Sequence, residues 1–185
     1  MDNTDKFKNK YRIASARASW WDYGWPGTYF ITICTAERRP YFGEIIDGKM
    51  VLSNIGVLAD VLWHDLPCHA HQVDLGAFVI MPNHMHGILI LKENGNNTPP
   101  NYGETRFQNQ GKNTVSAMVG GYKSALSKHA HRLGFTFAWQ ARFHDHIIRN
   151  DLEYQRINDY IETNPQHWHE DRFYKQENNS MHLES

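Results

Sequence analysis

Cysteine is almost absent from this chain. Its 185 residues include two, Cys34 and Cys68, far apart and without Cys-x-x-Cys spacing. That argues against a finger-type zinc site and against a disulfide framework. Long apolar runs are missing too, so no membrane span is expected. The opening residues, Met1-Asp2-Asn3-Thr4-Asp5-Lys6, lack the apolar stretch of a signal peptide, and the expected location is cytoplasmic. An excess of charge of one sign is also absent. Lys and Arg number 19 against 20 Asp and Glu, a formal net charge of -1. Overall charge therefore does not mark a nucleic-acid binder, and any such surface must be a local patch. No internal repeat is evident. What is present is 41% hydrophobic and 13% aromatic residues, enough for a core, in a length that favours one domain. Histidine is abundant, at 12 residues.

The elements follow from local pattern. Residues 1–20 are polar and basic and read as an arm. Thr28-Tyr29-Phe30-Ile31-Thr32-Ile33-Cys34-Thr35 is β-branched and aromatic, a strand signal. Asp47-Gly48 between short apolar pieces predicts a hairpin. Ser53 is placed to cap a helix through Ile55, Leu58 and Leu62 that ends at Pro67. Strands are expected over about 73–80 and 84–91, separated by Met81-Pro82-Asn83. Residues 93–113, rich in Asn, Gly, Pro and Gln, read as a flexible loop. Thr114 opens a helix, a fourth strand lies within 139–149, and Asp151 is placed to cap a last helix that Pro165 closes. The order of strands and helices matches a ferredoxin-like βαββαβ arrangement, an α+β fold with an antiparallel sheet, helices on one face and the other face free. An additional C-terminal helix follows it. The domain expectation is a basic arm at 1–20, a single domain at 21–175 and a polar tail at 176–185.

Two patterns carry chemistry. His84 and His86 are two apart on the third strand, so they share a face, about 7 Å apart at the backbone. They can converge on one divalent ion, or be ordinary strand histidines. Met85 points the other way and can be buried. On the last helix, Tyr160 and Asn164 are four apart and share a face. A tyrosine hydroxyl can attack a phosphodiester if a metal polarises the phosphate, and an amide oxygen one turn away can be a third ligand. A half-buried core tyrosine and a helix-end asparagine before Pro165 are the bland alternatives. A second pair, His144 and His146, shares a face of the fourth strand. If both pairs met at one closed four-ligand site, the chain would be a metal binder with no DNA role.

The ordered landmarks Trp21-Asp22-Tyr23, Gly27-Thr28-Tyr29-Phe30-Ile31-Thr32, Met81-Pro82-Asn83-His84-Met85-His86-Gly87, Gly121-Tyr122-Lys123-Ser124, Trp139-Gln140, Phe143-His144-Asp145-His146-Ile147-Ile148-Arg149 and Tyr160-Ile161-Glu162-Thr163-Asn164-Pro165 span nearly the whole chain. With them it resembles the single-tyrosine HUH (histidine–hydrophobic–histidine) transposases, in the REP-associated tyrosine transposase branch. The resemblance implies that His84 and His86 bind a divalent metal, Mg²⁺ or Mn²⁺, and that Tyr160 is the nucleophile. It implies cutting of single-stranded DNA to a 5′-phosphotyrosine and a free 3′-hydroxyl. Insertion-sequence relatives have a Gln four residues after the tyrosine as a metal ligand. Here that position is Asn164, one methylene shorter. The expected donor set, two imidazoles and an amide, contains no protein carboxylate. Implied partners are single-stranded DNA hairpins at palindromic repeats, in a nucleoid-associated bacterial protein that acts as a monomer rather than a helix-swapped dimer. The runner-up is a domesticated hairpin-binding protein that does not cut.

Candidate DNA contacts are Arg12, Arg17, Lys123, Lys128, Arg132, Arg142 and Arg149, with ordinary solvated charge as the alternative for each. Trp20, Trp21, Tyr23 and Trp25 can stack unpaired bases or clamp against the sheet.

Overall fold

The computed structural model describes residues 25–93 and 114–174. Beside them it gives the backbone of a two-residue ladder pairing β1 (Lys6–Phe7) with β2 (Lys10–Tyr11). Apart from that ladder, the expected arm at 1–20 lies outside the described residues, with Arg12, Arg17 and Trp20. So do Trp21 and Tyr23, the tail at 176–185, and all but the first residue of the loop at 93–113.

The main body runs β3 (Gly27–Thr35), a hairpin of β4 (Gly43–Ile46) and β5 (Lys49–Leu52), α1 (Asn54–His64), the single turn α2 (Leu66–His69), and β6 (Val73–Met81). It continues through β7 (His84–Leu91), α3 (Val115–Arg132), β8 (Trp139–Ile148) and α4 (Asp151–Thr163). Asp47 and Gly48 both take the left-handed conformation that a tight hairpin requires, at φ 50° and 71°. The Ser53 side chain accepts from the Gly56 amide, and that of Thr114 from the Ala117 amide, as N-caps do. Asp151 is not the cap of α4. Asn150 is, accepting from the Glu153 amide, and Asp151 sits in the first turn, where the helix dipole also favours an acid. Pro67 does not merely end α1, because its fixed φ suits it to the first turn of α2.

Four strands form one sheet in the order β6-β7-β3-β8, each neighbouring pair antiparallel. With α1 and α3 between the strands, this is the ferredoxin-like α+β palm. Alternation along β3 sends Tyr29, Ile31 and Ile33 into the main core under the helices, where they meet Trp63, Val119, Tyr122, Met85 and Leu89. Trp63 lies so close to β7 that a Cβ on Gly87 would stand 2.4 Å from its ring.

The second sheet face is not left free. Ile157 and Ile161 of α4 pack on Ile88 and Ile148, and Trp168 and Phe173 of the following segment pack on Cys34 and Met81. These apolar side chains recur at helical spacing on α4, and burying them requires a sheet face. On the β8 side Arg142, His144 and His146 are exposed, and among the described residues no helix covers them.

Candidate active site

β7 delivers His84 and His86 to the face that α4 covers, and Met85 to the opposite core. Both histidines are buried, 0% and 1% exposed, yet each finds polar partners. Their Nε2 atoms are 3.1 Å apart. His84 Nδ1 lies 2.9 Å from Asn83 Oδ1. The amide nitrogen of Asn83 donates to the carbonyls of Phe173, at 2.9 Å, and Arg38, at 3.3 Å. That network fixes the amide orientation, so Oδ1 is the acceptor and His84 Nδ1 carries the proton. The Nε2 lone pair of His84 then faces the site. His86 Nδ1 meets the Thr32 hydroxyl at 2.8 Å. When Thr32 accepts there, His86 also turns an Nε2 lone pair inward, and two lone pairs at this separation could bind one cation together.

Burial, with Arg172 and Arg38 nearby, lowers the pKa of His84 to about 3. Burial and the neighbouring His84 hold that of His86 well below its ordinary value. Both rings are therefore neutral at physiological pH.

α4 brings Tyr160 and Asn164 to the same place. The Tyr160 hydroxyl is 3.2 Å from His86 Nε2, and it donates to Asp171 Oδ2 at 3.4 Å. Asn164 is buried, and its Nδ2 donates to the same carboxylate oxygen at 3.5 Å. Its Oδ1 is buried with no hydrogen-bond partner among the described residues. An orphaned acceptor beside two inward-facing imidazoles is what an amide ligand looks like without its ion. Burial and the Asp171 charge raise the Tyr160 pKa, so the phenol keeps its proton unless positive charge enters the site.

Asp171 was not legible from the sequence, and it places a carboxylate, absent from the expected donor set, beside the two histidines. His84, His86 and Asp171 offer ligand atoms all within 4.8 Å of one another. The Phe173 amide holds the other carboxylate oxygen at 2.7 Å, so the group is aimed rather than loose. Its only sequence signal was an acid among aromatics, seven residues beyond Asn164 in a polar segment. Thr32 and Asn83 were likewise missed in their supporting roles. Asn83 is the sequence neighbour of His84, but nothing in spacing links Thr32 to the histidines. Only the sheet register, which pairs Thr32 with His86, brings it there.

The second histidine pair does not join the first. β3 separates β7 from β8, so His144 lies two strands from His86 and exposed, and His146 pairs with Glu153 at 2.7 Å. The two pairs build no closed four-ligand site. Among the basic candidates, Lys123 is partly buried and donates to the carbonyls of Gln140 and Ala141. Lys128 and Arg132 are exposed on α3, in the layer opposite the histidines, while Arg142 and Arg149 are exposed on and just after β8. Among the described residues, no helix is long and apolar enough to cross a membrane.

Comparison with known proteins agrees with this geometry. No family model matches the chain. An uncharacterised protein of Haemophilus influenzae is 34% identical over 165 residues, spanning 86% of this chain and 92% of that protein. A REP-associated tyrosine transposase of Escherichia coli is 29% identical over 139 residues, 75% of this chain and 66% of that one. The solved structure of a REP-associated tyrosine transposase bound to a REP hairpin shares the fold, with a TM-score of 0.56 and 24% identity over 83% of this chain and 73% of that one. A helix-borne tyrosine over a histidine pair on a ferredoxin-like sheet defines a transposase-like protein. Within that class, the chain is similar in sequence and in fold to REP-associated tyrosine transposases.

Proposed function

We propose that this chain is a metal-dependent enzyme that nicks and rejoins single-stranded DNA at hairpin-forming palindromic repeats, with Tyr160 as nucleophile. The observation that carries the reading is the Tyr160 hydroxyl standing 3.2 Å from His86 Nε2 within a cluster of His84, His86 and Asp171. The hairpin held by the structural relative supports the substrate class.

His84, His86 and Asp171 would hold Mg²⁺ or Mn²⁺, with Asn164 Oδ1 as a further oxygen ligand. Oxygen donors suit these ions, and a His and carboxylate set suits Mn²⁺. When bound, the ion supplies positive charge that polarises a phosphate and favours the tyrosinate. The Tyr160 oxygen forms a bond to phosphorus as the bond to the 3′-oxygen breaks, leaving a 5′-phosphotyrosine and a free 3′-hydroxyl. The phenol proton passes to solvent, and the departing 3′-oxygen takes a proton from solvent. Because the phosphotyrosine keeps the phosphodiester's bond energy, a 3′-hydroxyl can reverse the step. The tyrosine meets the histidines of its own chain, which supports action as a monomer without helix exchange.

The test is a denaturing gel with labelled hairpin oligonucleotides taken from palindromes around the gene, with Mg²⁺ or Mn²⁺. Wild type should form a covalent adduct and Tyr160→Phe none. An adduct with Tyr160→Phe refutes the nucleophile. Binding without any adduct, under either metal, would favour a hairpin-binding protein that does not cut.

A further inference from the structure

Arg38 and Arg172 stand beside this site without a role in it. Both guanidinium carbons lie over the ring of Phe173, 4.8 and 4.6 Å from its centroid. Phe173 is buried and packs on His84, with ring centroids 4.5 Å apart. The two arginine segments also touch, because Arg38 Nη1 donates to the Arg172 carbonyl at 3.2 Å.

Neither guanidinium has a carboxylate partner among the described residues. Glu37, next to Arg38, pairs with Arg39 instead. Asp171, next to Arg172, faces Tyr160, Asn164 and the Phe173 amide. Two like charges gathered at one ring repel each other unless an anion joins them. The fold nonetheless holds them there. Glu37 and Arg38 both take left-handed backbone conformations, at φ 55° and 56°, which non-glycine residues adopt at a cost. One side chain ties the arrangement to the histidines. Asn83 orients His84 through Oδ1, and through Nδ2 it holds the carbonyls of both Arg38 and Phe173. The arginine pair is thus registered to the inward-facing lone pair of His84.

We propose that Arg38 and Arg172 form a clamp for one backbone phosphate of the single strand, adjacent to the phosphate presented to Tyr160. Guanidinium forks match phosphate oxygens in a way a lysine does not, and stacking on Phe173 pre-orients them. The clamp rests on the reading of this site as one that processes single-stranded DNA. It puts the strand on the histidine face rather than along α3, where Lys128 and Arg132 lie.

The experiment is binding of the full chain to a labelled oligothymidylate about 20 nucleotides long, in EDTA, as a function of salt. Each phosphate contact on a single strand contributes about 0.7 to the slope of log affinity against log salt. The double variant Arg38→Gln/Arg172→Gln should lower the slope by about 0.7. Arg38→Lys/Arg172→Lys should restore the slope but not the full affinity. Lys128→Gln/Arg132→Gln should leave it unchanged. Wild-type binding with an unchanged slope in the Gln double variant overturns the clamp alone. So does a slope that falls only in the α3 variant. No wild-type binding at any salt overturns the DNA reading with it. If circular dichroism shows the Gln variant unfolded, amide exchange of wild type decides. Slower exchange at 36–39 and 171–174 with the oligothymidylate supports the clamp, and unchanged exchange there overturns it.

Discussion

Acidification should destabilise this fold through His84, by an amount that can be worked out in advance. The side chain is fully buried, and its pKa is lowered from 6.5 to about 3. An unfolded imidazole titrates near its ordinary value, about 6.5. Between those two values the unfolded chain binds a proton that the folded chain excludes, so stability falls as pH falls. The loss begins near the unfolded pKa and stops growing below about pH 3, where the folded ring also titrates. At about pH 5 the unfolded ring is roughly 1.5 pH units below its pKa, and at about 1.4 kcal/mol per unit the penalty is about 2 kcal/mol. This figure does not depend on the exact folded value, since any pKa below about 4 leaves folded His84 neutral at about pH 5. The assay is urea unfolding in EDTA at about pH 7.5 and about pH 5, followed by tryptophan fluorescence, for wild type and His84→Gln. Other titrating groups largely cancel in the comparison. Wild type should lose about 2 kcal/mol more than the variant between the two pH values. Equal losses would show that His84 is not held neutral by burial, and the account of the site as two neutral ligands would fail with it.

Asn164→Leu removes the orphaned Oδ1, so without metal its thermal stability should hold or rise by about 1 kcal/mol, while calorimetric Mn²⁺ affinity falls at least roughly tenfold. Lower apo stability would mean that the oxygen already has a partner. Thr32→Val strips the hydroxyl from His86 Nδ1. It should cost about 1–3 kcal/mol in urea unfolding and roughly ten- to a hundredfold in Mn²⁺ affinity, and unchanged affinity would dismiss Thr32 as an orienting group. Gly87→Ala forces a methyl toward the Trp63 ring. Its urea midpoint should drop by the equivalent of about 1–3 kcal/mol with the slope unchanged, and a neutral result would show that the ring can yield.

The elements were legible because their signals are local. Asp47-Gly48 names its own turn, and Ser53 and Thr114 name the helices they cap. Period-two alternation put Met85 in one core and the two histidines on the other face. Tyr160 and Asn164 were found for the same reason, since four residues on a helix define a face. What stayed hidden depends on register and on long-range contact. Thr32 reaches His86 across β3–β7 pairing, 54 residues away in sequence. Asp171 reaches the site only because Asn164–Glu170 forms a 3₁₀ turn that folds the chain back over the sheet. The covering of the second sheet face was hidden in the same way. Ile157 and Ile161 announced an apolar stripe on α4, but not which surface it would find.

The two halves of the site are held differently, and the difference suits the reversible reaction proposed for it. The histidines sit on a central strand, buried, each with its Nδ1 engaged at 2.8 or 2.9 Å. Tyr160 is 41% exposed, and its hydrogen bonds, 3.2 and 3.4 Å, are long for a hydroxyl. Its helix is anchored one residue away by Ile161, fully buried against the sheet, while the phenol rests against the Phe30 and His86 rings and stays partly in solvent. On the proposed function, a nucleophile that reaches phosphorus, carries a DNA end and later releases it gains from that exposure. A metal site that must keep one geometry through both directions needs the opposite. Sequence spacing alone puts both pairs on a shared face. Burial sets the two histidines and Asn164, all enclosed, apart from the partly exposed Tyr160.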